Sequence, residues 1–337
     1  MRAYELRGES IDTLCRVERP MPQPGPGQVL VRMHAASLNY RDLLIANGTY
    51  PRGATANRLI PLSDGAGEVI ELGPGTKRLR PGARVMASFF NRWIVGPFDF
   101  NAAVASARGG SIDGVLAEYV VLDEAAAVVV PSTLSFEEAA TLPCAGVTAW
   151  VALRELGPVR SGDTVLAMGT GGVSLFVLQI ARQAGARVIL TSSSDDKLQR
   201  GRALGADATI NYRSVPRWDA AARELSGGRG VDHLVEVGGA KTLETSLRAL
   251  RQGGRVVLVG QLSGDMADVN RASANDHGVR VDQVFVGSAW HLSNLCAEVD
   301  RAGLEPVIDR VFGFDEVELA YRYLASGAHF GKVVIAI

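Results

Sequence analysis

An α/β fold, with a doubly wound parallel sheet joined to a second, β-rich domain, is predicted by three features of the 337-residue sequence. Short apolar runs separated by Pro/Gly turn clusters fill roughly the first 125 residues. From about Pro131 onward, apolar strands alternate with segments of helical period, the pattern of a parallel sheet covered on both faces. Between the first such strand and the first such helix lies a glycine-rich turn, Gly169-Thr170-Gly171-Gly172-Val173-Ser174.

In the first part, Val29-Leu30-Val31, Glu68-Val69-Ile70 and Tyr119-Val120-Val121-Leu122 read as strands. The clusters PQPGPG, LGPGT and RPGAR between them supply the fixed φ of proline and the positive φ of glycine that tight turns need. A small barrel or folded sheet is expected. Ser88 to Gly114 carries little pattern and reads as a long surface loop over a site. In the second part, strands are expected at Thr164–Met168, Arg187–Thr191, Ala208–Ile210, His233–Val237, Arg255–Val259 and Val281–Val286. Val173, Phe176, Val177, Ile180, Ala181 and Ala184 repeat at helical spacing and stop at Gly185, which describes a one-faced crossover helix. Asp195–Leu204 before Gly205 and Thr242–Arg251 before Gly253 repeat the device. The tail offers a strand (Pro306–Val311), a helix (Asp315–Ser326) and a strand (Lys332–Ile337). With six strands already assigned to the parallel sheet, the tail is expected to return to the first domain.

Composition narrows the class. The 35 Lys and Arg against 36 Asp and Glu leave a net charge of −1, so there is no global basic field for a nucleic-acid backbone. The hydrophobic fraction of 47% excludes a disordered chain. Three widely spaced cysteines, Cys15, Cys144 and Cys296, make no disulfide framework and suit a reducing compartment. Neither an export signal nor a membrane span is read, and a cytoplasmic protein is expected.

The turn from Gly169 to Ser174 follows G-x-G-x-x-G except that serine stands in the third glycine position. Its strand–turn–helix setting is the one a dinucleotide site demands. Gly169, Gly171 and Gly172 let the backbone approach a pyrophosphate, and the N–H groups at the helix start, from Val173 onward, favour the anion. At the end of the next strand, Ser192 and Ser193 stand where an NAD site would carry an acid. With Lys197 and Tyr212 nearby, they suit a 2′-phosphate, so NADPH is expected over NADH.

Several segments in order along the chain give a specific resemblance: Leu38-Asn39-Tyr40-Arg41-Asp42, Asn47-Gly48-Thr49-Tyr50-Pro51, Asp64-Gly65-Ala66-Gly67-Glu68-Val69, Pro81-Gly82-Ala83-Arg84-Val85, Cys144-Ala145-Gly146-Val147-Thr148-Ala149, the GTGGVSLF loop, Leu204-Gly205-Ala206-Asp207 and Phe330-Gly331-Lys332-Val333-Val334. The sequence resembles the medium-chain dehydrogenase/reductase superfamily over essentially its full length, and within it the zinc-independent quinone-oxidoreductase-like branch. The resemblance implies a chaperonin-10-like β-rich catalytic domain over residues 1–145 and 290–337 and a Rossmann dinucleotide-binding domain over 146–289. It further implies Thr148 near the nicotinamide, Gly238 and Gly260 lining the cofactor groove, Phe285 and Val286 at the carboxamide, and Phe330 and Lys332 touching the cofactor from the catalytic domain. A homodimer is implied by the same analogy.

Zinc enzymes of this superfamily hold their metal at positions that correspond here to Asn39, Ser63 and Cys144, of which only one is a usual ligand. No metal is expected. Without a Lewis acid, alcohol oxidation is disfavoured, whereas reduction of a quinone or an α,β-unsaturated carbonyl compound puts charge on a delocalised oxygen that neutral donors can stabilise. Asn39, Tyr40 and Tyr50, in the segments matching the family's active site, are the candidate donors. The expectation is an NADPH-dependent, zinc-independent reductase of small apolar quinones or enones, without nucleic-acid or membrane partners. Two alternatives stand beside it: an alcohol or aldehyde dehydrogenase that works without zinc, and a non-catalytic NADPH-binding protein. An RNA-binding version of the latter would use Arg213, Arg217 and Arg223.

Overall fold

In the computed structural model, which describes residues 1–50, 58–259 and 276–337, the N-terminal apolar runs become strands of one largely antiparallel sheet. β1 (Arg2–Leu6) and β2 (Leu14–Glu18) form a separate antiparallel pair. β3 (Gln28–Leu38) is the long central strand, with β4 (Asp64–Leu72) and β6 (Tyr119–Asp123) antiparallel to it. β5 (Arg84–Ala87) and β7 (Ala127–Val129) continue the sheet beyond β4. At Gly67 a Cβ would stand 2.2 Å from the Arg32 carbonyl oxygen, so a glycine lets β4 lie this close to β3. Val29, Val31, Met33, Val69 and Val85 are buried together in one core. Each such aliphatic side chain contributes about 1.5–3 kcal/mol by leaving water.

Ser88–Gly114 is not the surface loop its sequence suggests. A short helix, Phe100–Val104, breaks it, and Phe89, Phe90, Ala103 and Ala107 bury one another in a satellite core. The Phe89 and Phe90 rings meet edge-on at 4.6 Å. Contacts within so short a stretch leave no strand or helix period to read.

From residue 148 the chain builds β8 (Thr164–Ala167), β9 (Arg187–Ser192), β10 (Ala208–Asn211), β11 (Val231–Glu236), β12 (Leu250–Leu258) and β13 (Arg280–Gln283). All neighbours are parallel, in the order β10-β9-β8-β11-β12-β13. This is the doubly wound order, in which the direction of winding reverses between β8 and β11 and opens a crevice at their carboxyl ends. The crossover helix runs Gly172–Gln183, with Phe176, Val177, Ile180 and Ala181 buried. It ends before Gly185, whose φ of +77° reverses the chain.

Two boundaries moved. The helix expected to reach Arg251 is Ala240–Ala249, and β12 starts at Leu250, five residues early. Leu250 pairs with Val231 ahead of a register shift, which draws Gly253 and Gly254 into the strand. A helix at Trp218–Leu225 was not foreseen, although Trp218, Ala221, Ala222 and Leu225 have helical spacing.

The tail does return to the first sheet. β14 (Ile308–Gly313) lies parallel to β15 (Lys332–Ala336), and β15 pairs antiparallel with β3, Val333 opposite Leu38. The helix Val317–Ala325 between them buries Val317, Ala320, Tyr321 and Leu324, four positions of one face. Two units result: residues 1–147 with 286–337, and residues 148–285. Among the described residues no helix is long and apolar enough to cross a membrane.

Candidate active site

The first unit holds a buried polar centre. β3 ends at Leu38, and Asn39 turns the chain into the helix Tyr40–Ala46; there the Asn39 N–H donates to Asp42 Oδ2 at 2.7 Å. The pairing of Val333 with Leu38 sets Lys332 level with Asn39. Lys332 Nζ donates to Leu38 O and to Asn39 Oδ1, both at 2.6 Å, and the residue is 3% exposed. Asp64 opens β4 and is fully buried. It accepts from Ser63 Oγ at 2.6 Å and from the Cys144 N–H at 3.0 Å, Cys144 lying in a π-helical turn, Leu142–Gly146.

Burial dominates the electrostatics. It raises Asp64, with the Lys332 ammonium, the Ser63 hydroxyl and the Asn39 side chain acting against the rise. It raises Asp42 to about 7, with Arg41 opposing. It lowers Lys332, which Asp64 opposes, and pushes the Cys144 thiol far above the ordinary range, Asp64 adding to the rise. Cys144 is therefore a neutral thiol rather than a thiolate.

Of the other two candidate donors, Tyr40 is 44% exposed, so it is not a core aromatic. Tyr50 packs its ring under the Arg41 guanidinium, 5.0 Å from the centroid. Phe330 is buried. Val286 is half-buried against the Phe89 and Phe90 cluster and holds φ at +59°, a strained conformation for a β-branched residue.

In the second unit the glycine turn follows β8 directly. Gly169 holds φ at +75° and donates its N–H to Thr191 Oγ1 at 3.2 Å. Gly171 precedes the helix in an extended conformation, and a Cβ added there would meet nothing within 4 Å. Gly172 and Val173 are partly exposed, while Ser174, in the third glycine position, is buried and donates its hydroxyl to Met168 O at 2.5 Å. That bond closes the turn from inside, which explains how serine substitutes for glycine. An open backbone over the first turn of a helix is what a pyrophosphate requires, and the residues present fit a dinucleotide.

The expected 2′-phosphate residues come together at the carboxyl ends of β9 and β10. Ser192 pairs with Asn211, the Tyr212 N–H donates to Ser192 O, and Ser194 caps the helix that carries Lys197. Ser192 is buried, with its Oγ accepting from the Ser194 N–H at 3.3 Å, whereas Tyr212 is 43% exposed. Thr148 is buried at the start of the unit. Gly238 follows β11, Phe285 ends the unit half-buried, and Gly260 lies outside the described residues.

Sequence reasoning passed over Glu236. This buried carboxylate accepts from the Gly238 and Gly239 N–H groups at 2.6 and 3.1 Å, from Thr242 Oγ1 at 2.8 Å and from Ser246 Oγ. It ties the turn after β11 to the helix Ala240–Ala249. Its signal was an acid at a strand end just before a Gly-Gly pair. Of the arginines considered for RNA, Arg223 donates to Leu250 O at 2.9 Å and Arg217 pairs with Asp219 at 3.1 Å, while Arg213 is exposed.

Known proteins agree with this architecture. Residues 25–132 match the alcohol dehydrogenase GroES-like domain family, and residues 172–301 match the zinc-binding dehydrogenase family. A zinc-type alcohol dehydrogenase-like protein of Schizosaccharomyces pombe is 42% identical over 97% of this chain and 96% of its own length. The chain belongs to the medium-chain dehydrogenase/reductase superfamily.

Solved structures of this superfamily superpose over the whole chain. An NAD-dependent alcohol dehydrogenase is 34% identical with a TM-score of 0.88, each chain covered in full. The quinone oxidoreductase of Pseudomonas syringae pv. Tomato DC3000 is 26% identical at 0.85, with 99% of its chain covered. Mycobacterial Rv1454c, in complex with NADPH, is 27% identical at 0.83 and fully covered. The zinc named for the matching family does not fit the residues of this chain. Of the three positions assigned to ligands, the Asn39 oxygen is bonded to an ammonium and the Ser63 hydroxyl donates to Asp64, which leaves Cys144 as the one usual ligand where a catalytic site needs three. Among the described residues no group of three or more His, Cys, Asp or Glu could hold a metal ion.

Proposed function

We propose that this medium-chain oxidoreductase uses NADPH to reduce a quinone or an α,β-unsaturated carbonyl compound. The observation that carries the reading is the polar centre of the first unit, where an internal ammonium and an asparagine amide stand at the positions a metal would need. Such a centre offers hydrogen-bond donors rather than a Lewis acid. It suits a reaction in which charge develops on a delocalised enolate or quinol oxygen, not on a localised alkoxide. The likeness to a quinone oxidoreductase supports the same class.

A bound nicotinamide would supply the hydride. The chain's own part is to hold the cofactor and to meet the substrate oxygen. Gly169, Gly171, Gly172 and the N–H groups from Val173 onward would take the pyrophosphate. Lys197, with Ser193 and Tyr212, would take a 2′-phosphate, a reading that the NADPH complex of Rv1454c supports. Asn39 would donate to the substrate oxygen.

Lys197→Ala is expected to weaken NADPH binding about tenfold while changing NADH little, as measured by fluorescence titration of both cofactors. Equal losses would remove the 2′-phosphate assignment. The reaction itself is tested by following NADPH oxidation with a panel of quinones, enones and aldehydes, with and without a chelator. Turnover of quinones or enones that the chelator leaves unchanged supports the reading. Activity confined to alcohols or aldehydes, or abolished by the chelator, overturns it.

A further inference from the structure

We propose that Lys332 is a positioning residue that sets Asn39 for its work, locking the amide with its oxygen inward so that the amide nitrogen is the group left to donate. Three observations meet here. A lysine ammonium has three donors and no acceptor, so at 2.6 Å it can face only the oxygen of the asparagine amide. This decides the orientation of a group whose two ends otherwise look alike. Next, Asn39 Nδ2 is screened from solvent and turned toward Asp64, whose carboxyl it holds down, and of its two hydrogens this leaves one for a substrate. Finally, Lys332 is anchored a second time on Leu38 O, the last residue of β3, and the pairing of Val333 with Leu38 fixes its height. Neither partner can turn away without breaking a bond inside the sheet.

The ammonium also acts through the bond it makes. A positive charge on Asn39 Oδ1 draws electron density from the amide and makes its N–H groups stronger donors. Asp64, facing Lys332, keeps this buried charge from being uncompensated. The lysine thus serves as a cation built into the fold, and it reaches the substrate oxygen through asparagine instead of by contact. The expected consequence for turnover rests on the reductase reading above, whereas the lock itself does not.

A double-mutant cycle on thermal stability tests the lock without any substrate. Asn39→Leu strands the ammonium while Lys332 is present, and should lower Tm by about 5–10 °C more in the parent than in a Lys332→Met background. The loss of the Asn39 contact with Asp64 is common to both and cancels. If Lys332→Met does not fold, Lys332→Gln, which keeps one donor to Leu38 O, replaces it. Additive losses overturn the lock.

Turnover tests the consequence. Asn39→Asp keeps an oxygen for the ammonium but removes the N–H donor. It should leave the KM for NADPH unchanged while kcat falls about a hundredfold, with a melting curve to show that the variant is folded. Lys332→Met should lower kcat in the same way, and Lys332→Arg should restore part of it. Unchanged kcat in folded Asn39→Asp overturns the donor role. If the parent reduces no quinone or enone, the reductase reading fails and the donor role with it, while the stability cycle still decides the lock.

Discussion

Gly171→Asp is expected to abolish binding of NADPH while leaving the free protein as stable as the parent. The two halves of this result have separate causes. Gly171 stands just before the first turn of the helix Gly172–Gln183, in an extended conformation open to any residue, and an added Cβ would meet nothing. Aspartate is also among the preferred residues at a helix N-cap, and its charge suits the positive end of the helix dipole. The fold therefore has no reason to suffer. A pyrophosphate seated on the same N–H groups would instead meet a carboxylate at about 4 Å, a repulsion of about 4 kcal/mol, or roughly a thousandfold in affinity. Fluorescence titration with NADPH and a melting curve of the cofactor-free protein read both halves. NADPH binding within a few-fold of the parent would show that the pyrophosphate lies elsewhere.

The second large effect concerns pH. Asp42 is 1% exposed, and burial raises its pKa from 3.8 to about 7. Between these values the unfolded chain has given up the proton and the folded chain still holds it. Stability must therefore fall as pH rises through that window. The contribution is fully present below about pH 4 and lost by about pH 7, on the order of 4 kcal/mol if the group titrates alone. Asp42→Asn keeps an oxygen to accept the Asn39 N–H and removes the titration. Denaturant unfolding between pH 4.5 and pH 8 should show the parent losing stability that Asp42→Asn retains, so that the variant is the more stable at pH 8. Parallel profiles for the two proteins would mean that Asp42 stays ionised in the fold.

Much of the second unit was readable from the chain alone because its signals are local. The turn from Gly169 to Ser174, the helical spacing from Val173 to Ala181 and the six apolar strands each occupy a few adjacent residues. The hydroxyl cluster at Ser192 and Ser193 is equally local. Where contacts replace periodicity, reading fails. The aromatic rings of Ser88–Gly114 bury one another without a repeating pattern, β12 begins early because of its pairing with Val231, and Glu236 gains its role from partners on the following helix.

The polar centre shows the boundary most clearly. Asn39 and Lys332 could each be picked out from short motifs, and the scarcity of metal ligands at Asn39, Ser63 and Cys144 was plain from residue type. Their union was not, since 293 residues separate the pair. Local spacing and composition carry the order of strands and helices and the dinucleotide turn, because each depends on neighbours in the chain. The orientation of the Asn39 amide and the proton held by Asp42 depend on how β15 seats against β3 and how completely water is excluded there. Hydrogen-bond geometry and desolvation are properties of packed surfaces, and distant segments acquire them only when the sheet closes.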